Sequence, residues 1–82
     1  MQNFFYVYIL TSDDDPECHY TGFTEDLEQR LKAHNAGQVP HTKKYKPWHF
    51  ETVVAFRSRD KAVAFEKYLK SHSGRAFGSR HL

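Results

Sequence analysis

Two phenols, a guanidinium, an imidazole and a carboxylate are spaced in this chain so that folding would gather them. Tyr6-Val7-Tyr8 and Tyr20-Thr21-Gly22 lie in two short β-prone segments, and a helical stretch with Arg30 and His34 follows almost at once. Each strand brings a phenol to one small area, and the helix adds an anion-binding guanidinium and an imidazole. Such a set suits phosphate chemistry. Gly22 closes the second segment without a Cβ, which lets backbone or ligand approach closely.

Helical periodicity sharpens the choice of residues. At about 100° per residue, Arg30 and His34 flank the apolar seam of Leu27 and Leu31 as i,i+4 neighbours. A bidentate grip on a phosphate oxygen is one use for Arg30; a salt bridge is another, and His34 can equally be a satisfied edge histidine. On a second helix Ala62, Phe65 and Leu69 form the inward stripe, and Glu66 lies about 40° from Ala62. A carboxylate on that face needs a cation, a hydrogen-bond network or a metal. Lys70, four residues on, offers an ordinary helix-surface pair worth a few tenths of a kcal/mol, as open a reading as metal ligation.

The elements that must position these groups follow from pattern and punctuation. Phe4 to Thr11 is aromatic and β-branched on both faces and predicts a central strand. Ser12-Asp13-Asp14-Asp15-Pro16-Glu17 is turn chemistry, and Cys18 to Phe23 predicts the returning strand of a hairpin. The Asp triplet reads as a solvated loop, not a cation site. Thr24 is the expected N-cap of a helix running to about Ala36, with Gly37 just beyond its end. Gln38 to Pro47, with His41, Lys43, Lys44 and Lys46, reads as a basic loop with at most one helical turn. Phe50 to Arg57 predicts a third strand, and Ser58 or Asp60 caps a helix ending near Ser71. The expected fold is α+β, a three-stranded antiparallel sheet flanked by helices in the order β-β-α-α-β-α, with the second helical piece short.

Size and charge bound the rest. Eighty-two residues make a single domain, 1–82, and the single Cys18 excludes an internal disulfide. The apolar run Phe4–Leu10 is far too short to span a membrane and lacks the flanks of a signal peptide, so no membrane role and a reducing cytoplasm are expected. Residues 1–42 carry a net charge of −5 and residues 43–82 a net charge of +7. The basic half is interleaved with Tyr45, Trp48, Phe50, Tyr68 and Phe77. That mixture suits a polyanion, cations for phosphates and aromatics for sugars or unpaired bases, although solubilising Lys and Arg around an aromatic core would look the same.

Taken as an ordered set, Tyr8, Tyr20, Gly22, Arg30, His34 and Glu66 resemble the motif set of the GIY-YIG nuclease superfamily, most closely its small stand-alone bacterial members. Tyr6-Val7-Tyr8 stands at the first motif and Tyr20-Thr21-Gly22 at the second. Phe23 to Asn35 is similar to the first helix of that group. Thr42-Lys43-Lys44-Tyr45 with Pro47 is similar to its basic loop, and Ala64 to Lys70 to the helix bearing its metal carboxylate. The chain departs from the pattern at Tyr6, Val7 and Thr21. Many members also place an Asn after the metal helix, where this chain has Ser73, Gly74 and Arg75; its only asparagines are Asn3 and Asn35.

The resemblance implies hydrolysis of DNA phosphodiesters with one divalent cation, Mg²⁺ or Mn²⁺, held by Glu66. Arg30 would neutralise charge on the non-bridging oxygens. Tyr8 would align or deprotonate the attacking water, His34 would take or relay that proton, and Tyr20 would hydrogen-bond phosphate or water. Lys43, Lys44, Lys46, Lys70 and Arg75 are the expected DNA contacts, with Gly22 structural. Few base contacts are available, so selection by DNA structure (branched or damaged DNA) or through a protein partner is expected, in repair or recombination. The alternatives are a nucleic-acid-binding module of the same fold that cleaves weakly or not at all, and a protein-interaction domain whose aromatics serve only the core.

Overall fold

The computed structural model describes residues 4–71, and Arg75, with the rest of the stretch Ser73 to Gly78, lies outside the described residues. Its elements are strand β1 (Phe5–Ser12), strand β2 (His19–Thr24), helix α1 (Leu27–Asn35), a 3-10 turn (Lys43–Tyr45), strand β3 (Trp48–Phe56) and helix α2 (Arg59–Lys70). The strands form one antiparallel sheet in the order β2-β1-β3, so the strand that is apolar on both faces is the central one, as expected. No helix among the described residues is long and apolar enough to cross a membrane.

Alternation along β1 divides the core into two layers. Val7 joins Ala62 and Leu69 of α2, with Phe5, Ile9, Phe23, Phe56 and Phe65 packed around them. Tyr8 and Leu10 project to the other face and meet Trp48, Leu27, Leu31, Tyr20 and Phe50. The sheet is therefore covered by α2 on one face and α1 on the other. Strand β3 serves both layers by means of a bulge: Ile9 pairs with Thr52 and Leu10 with Phe50, leaving Glu51 as the extra residue. Before the bulge, Trp48 and Phe50 face α1; after it, Phe56 faces α2. Burial alternates without a break over Trp48–Phe56 although the covered face changes at the bulge, and the apolar run Val53-Val54-Ala55-Phe56 does not mark the change in the sequence.

Termini of the helices follow local side-chain chemistry. The N-cap of α1 is Asp26, whose carboxylate accepts the Gln29 N–H at 3.1 Å, and not Thr24 as the sequence predicts. Thr24 instead accepts the Asp26 N–H at 3.0 Å and shapes the turn before the helix. A carboxylate at the cap adds a favourable charge to the hydrogen bond at the positive end of the helix. The other end closes on Gly37, at φ +77°. There the Gly37 N–H reaches the His34 carbonyl at 3.2 Å and the Gln38 N–H reaches that of Ala33 at 3.0 Å, a Schellman closure. Helix α2 is capped by Ser58, which accepts the Lys61 N–H at 3.2 Å. The third strand begins at Trp48, two residues before the expected Phe50, because Asn35 grips the Trp48 backbone. Its amide accepts the Trp48 N–H at 2.6 Å and donates to the Trp48 carbonyl at 3.1 Å.

Candidate active site

Tyr8 and Gly22 face each other across the β1–β2 pair. The phenol folds over the glycine: a Cβ at Gly22 would overlap the Oη and Cζ of Tyr8. Gly22 is thus the residue that lets the ring lie flat against β2, and Tyr8 is held there at 1% exposure. Tyr6, on the same strand face, pairs with Thr24 further along and takes no part in the contacts of Tyr8 described next.

The Tyr8 hydroxyl lies 2.9 Å from His34 Nε2, and the other ring nitrogen, Nδ1, lies 2.8 Å from the Thr42 hydroxyl. His34 is completely buried, so it is the innermost side chain of α1 and not an edge histidine beside a leucine seam; Leu27 and Leu31 are only half-buried. The Thr42 hydroxyl has the Val39 carbonyl as an acceptor at 3.3 Å. In the tautomer where it donates there, its oxygen accepts from His34 Nδ1–H, Nε2 is unprotonated, and the Tyr8 O–H donates to Nε2. Trp48 Nε1–H donates to the Thr42 carbonyl at 2.9 Å and holds the threonine in place.

Arg30 completes the surroundings of the phenol. Its Nε–H points at the Tyr8 oxygen over a long 3.4 Å. Among the described residues no carboxylate pairs with Arg30, so the salt-bridge reading of this residue is not realised. Burial pushes the Tyr8 phenol above its ordinary value of 10.0; Arg30 opposes this through its hydrogen bond and charge, while Tyr20 and Glu66 add to the rise. Burial, with a contribution from the Arg30 charge, holds the His34 imidazole below its ordinary value of 6.5. Both directions favour the uncharged forms, a neutral phenol hydrogen-bonded to a neutral imidazole.

Tyr20 lies at the edge of the sheet, with its ring centroid 5.1 Å from that of His34. Lys70 reaches it from α2, its Nζ 5.6 Å from the centroid of the same ring. That ammonium also lies 3.0 Å from Glu66 Oε2. Glu66 sits at the border of the Ala62–Leu69 stripe, with its side chain 20% exposed and Lys70 at 48%. The i,i+4 pair weighed from the sequence is thus formed, and Lys70 lies at the tyrosine cluster, apart from the lysine loop. The donor set still suits a hard divalent cation. Glu66 offers carboxylate oxygens, is partly open to water, and is close enough to the phenol to influence its proton. Mg²⁺ is commonly held by one or two carboxylates with water and phosphate completing its shell. Three such side chains converge nowhere among the described residues, so a resident cation would have few protein ligands. Lys70 would have to release Glu66 for any such ion.

Lys43, Lys44 and Lys46 are exposed on and beside the 3-10 turn. The loop is pinned to the core in several places. Thr42 holds His34, the Ser12 hydroxyl donates to the Tyr45 carbonyl at 2.7 Å, and the Asp13 N–H donates to the Pro47 carbonyl at 2.9 Å. The basic loop and the Tyr8–His34 pair are consequently parts of one connected structure. Thr42, Asn35 and Trp48 are the residues that sequence reasoning did not single out for the site. The alternation Thr42-x-x-Tyr45 carries no periodic signal; the only available hint was a hydroxyl residue directly before a lysine pair.

Residues 4–79 match the family model of the GIY-YIG catalytic domain. The chain is 35% identical over 74 residues to a UPF0213 protein of Haloquadratum walsbyi, spanning 89% of this chain and 81% of that one. It is 38% identical over 71 residues to the structure-specific endonuclease subunit SLX1 of Scheffersomyces stipitis, which is 78% of this chain but 21% of that larger protein. The solution NMR structure of a UPF0213 protein from Bacillus halodurans superimposes with a TM-score of 0.55 at 33% identity, over 95% of this chain and 81% of that one.

Proposed function

The chain belongs to the GIY-YIG family, a nuclease family, and from that premise we propose that it is a metal-dependent DNA endonuclease that selects its substrate by structure. The observation that carries this reading is the oriented chain Thr42–His34–Tyr8 with Arg30 at the phenol oxygen. A phenol with a raised pKa is a poor base alone. Tyr8, however, can pass its own proton to His34 Nε2 as it accepts one from the attacking water, so free phenolate need not accumulate. Arg30, paired with no carboxylate among the described residues, neutralises the non-bridging oxygens of the phosphate while still steadying the phenol. Tyr20, at the rim, hydrogen-bonds phosphate or water. Glu66 is the residue that would hold a divalent cation, Mg²⁺ or Mn²⁺, whose chemistry there is to polarise the phosphoryl group and steady the leaving oxygen. Lys43, Lys44 and Lys46 track the DNA backbone, and Lys70 and Arg75 extend that contact. A role in DNA repair or recombination, in the cytoplasm and with a targeting partner, belongs to the same reading.

One observation favours the second reading, a DNA-binding module that cleaves weakly: Glu66 is engaged by Lys70. A nicking assay on branched and linear DNA with Mg²⁺ or Mn²⁺ separates the two. The nuclease reading expects cation-dependent nicking that Glu66→Ala and Arg30→Ala abolish. DNA binding without any cleavage above those variants on any substrate would leave only the binding module.

A further inference from the structure

The exposed ring of Tyr45 has no task in the chemistry above, and its setting is unusual for a surface aromatic. The residue is 41% exposed, in a loop whose neighbours Lys43, Lys44 and Lys46 are all exposed cations. Its backbone is fixed by two hydrogen bonds: its carbonyl accepts from Ser12, and its N–H reaches the Thr42 carbonyl at 3.2 Å; the Lys43 N–H, at the start of the same turn, reaches the Val39 carbonyl at 3.1 Å. Among the described residues, Lys44 Nζ lies 5.9 Å from the ring centroid, an exposed cation–π pair of the weak kind. An exposed aromatic held by its backbone, with one ammonium at its ring and two more exposed lysines in the same loop, is suited to an unpaired nucleotide, the ring stacking on the base while ammonium groups meet flanking phosphates.

We propose that Tyr45 is a stacking platform for one unpaired base, so that the DNA selected by this domain carries a single-stranded nucleotide beside the duplex that is cut. This rests on the DNA-cleaving reading and adds the feature of the substrate that is recognised. A base paired within a duplex cannot offer its face to the ring; a flap, bulge or frayed end can. The platform is also placed to report on the site. Tyr45 is bonded through its N–H to the carbonyl of Thr42, the residue whose hydroxyl is hydrogen-bonded to His34 Nδ1. Binding at the platform therefore steadies the threonine on which the proton relay depends.

The test is equilibrium binding by the full chain in EDTA, where no cleavage occurs. It compares a duplex carrying a short single-stranded flap, with 2-aminopurine as its first unpaired base, against the fully paired duplex. Wild type should bind the flap DNA more tightly and quench the 2-aminopurine. Tyr45→Ala should lose at least about fivefold in affinity for the flap DNA and under twofold for the paired duplex, and should lose the quenching. Tyr45→Phe should retain both. Equal binding of the two DNAs by wild type, weakened alike by Lys43→Ala and Lys46→Ala, would overturn the platform and leave the DNA-cleaving reading intact. Unchanged flap affinity in Tyr45→Ala, or an equal loss for both DNAs, would also overturn it. Failure of wild type to bind either DNA would remove both.

Discussion

Replacing Thr42 by valine keeps the shape of a buried side chain and deletes one hydroxyl. In the tautomer that makes His34 Nε2 the acceptor of the Tyr8 proton, that hydroxyl accepts from His34 Nδ1 at 2.8 Å and donates to the Val39 carbonyl at 3.3 Å, so the variant strands a donor and an acceptor. His34 is completely buried and no water can replace its lost partner without opening the core. An orphaned buried donor costs about 1–3 kcal/mol, and the long, weak bond to Val39 adds little. Thr42→Val should therefore lower unfolding stability by about 1–3 kcal/mol in urea titration. It should also free the imidazole to protonate at Nε2, which turns the acceptor of the Tyr8 proton into a donor. Single-turnover cleavage should fall by at least about tenfold, while DNA binding, which depends on exposed lysines, stays near wild type. Thr42→Ser, which keeps the hydroxyl, should recover most of both losses. Wild-type stability and cleavage in Thr42→Val would refute the assignment of tautomer and relay, and equal damage in Thr42→Ser would show that the lost methyl contacts, not the hydroxyl, matter.

Three further outcomes follow from the same geometry. Gly22→Ala places a methyl inside the Tyr8 ring, so stability should drop by about 1–3 kcal/mol and cleavage should be lost with it; equilibrium denaturation with the nicking assay checks both. His34 has a folded pKa below its unfolded value of 6.5, so the unfolded chain binds the extra proton. Its contribution to stability is present above pH 6.5 and is lost as pH falls towards the folded value, with a slope of at most about 1.4 kcal/mol per pH unit, and His34→Gln should flatten that part of a stability–pH curve. Lys70→Met removes the ammonium that competes for Glu66. Mn²⁺ affinity measured calorimetrically without DNA should rise about two- to fivefold, the scale of a partly exposed ion pair, and an unchanged affinity would show that the pair does not oppose metal.

Much of this was legible in the chain because it sits on periodic elements. Apolarity on both faces placed Phe4 to Thr11 in the middle of the sheet, and the turn residues from Ser12 to Glu17 set the hairpin. The spacing of Arg30, His34 and Glu66 on two helices put them beside the apolar stripes. Periodicity could not tell which of several inward residues goes deepest. His34 is buried to zero exposure while Leu27 and Leu31 stay half-buried, because the imidazole is satisfied at both nitrogens by a strand tyrosine and a loop threonine. That threonine lies in an aperiodic segment, where tertiary partners and not local pattern decide the contacts. The bulge at Glu51 was hidden because the residues after it, Val53-Val54-Ala55-Phe56, are apolar on both faces and so give no alternation from which a change of face could be read. The choice between Thr24 and Asp26 as cap turned on two adjacent residues both suited to capping, each of which found a separate N–H.

The central claim is that Tyr8, oriented by Gly22, His34 and Arg30, moves the proton in DNA phosphodiester hydrolysis. Single-turnover cleavage of flap DNA with saturating Mn²⁺ by wild type and Tyr8→Phe tests it most directly, because the variant keeps the ring over Gly22 and removes only the hydroxyl. A loss of at least about a hundredfold in the cleavage rate, with DNA affinity and far-ultraviolet circular dichroism unchanged, is the predicted result. Cleavage by Tyr8→Phe at the wild-type rate would contradict it.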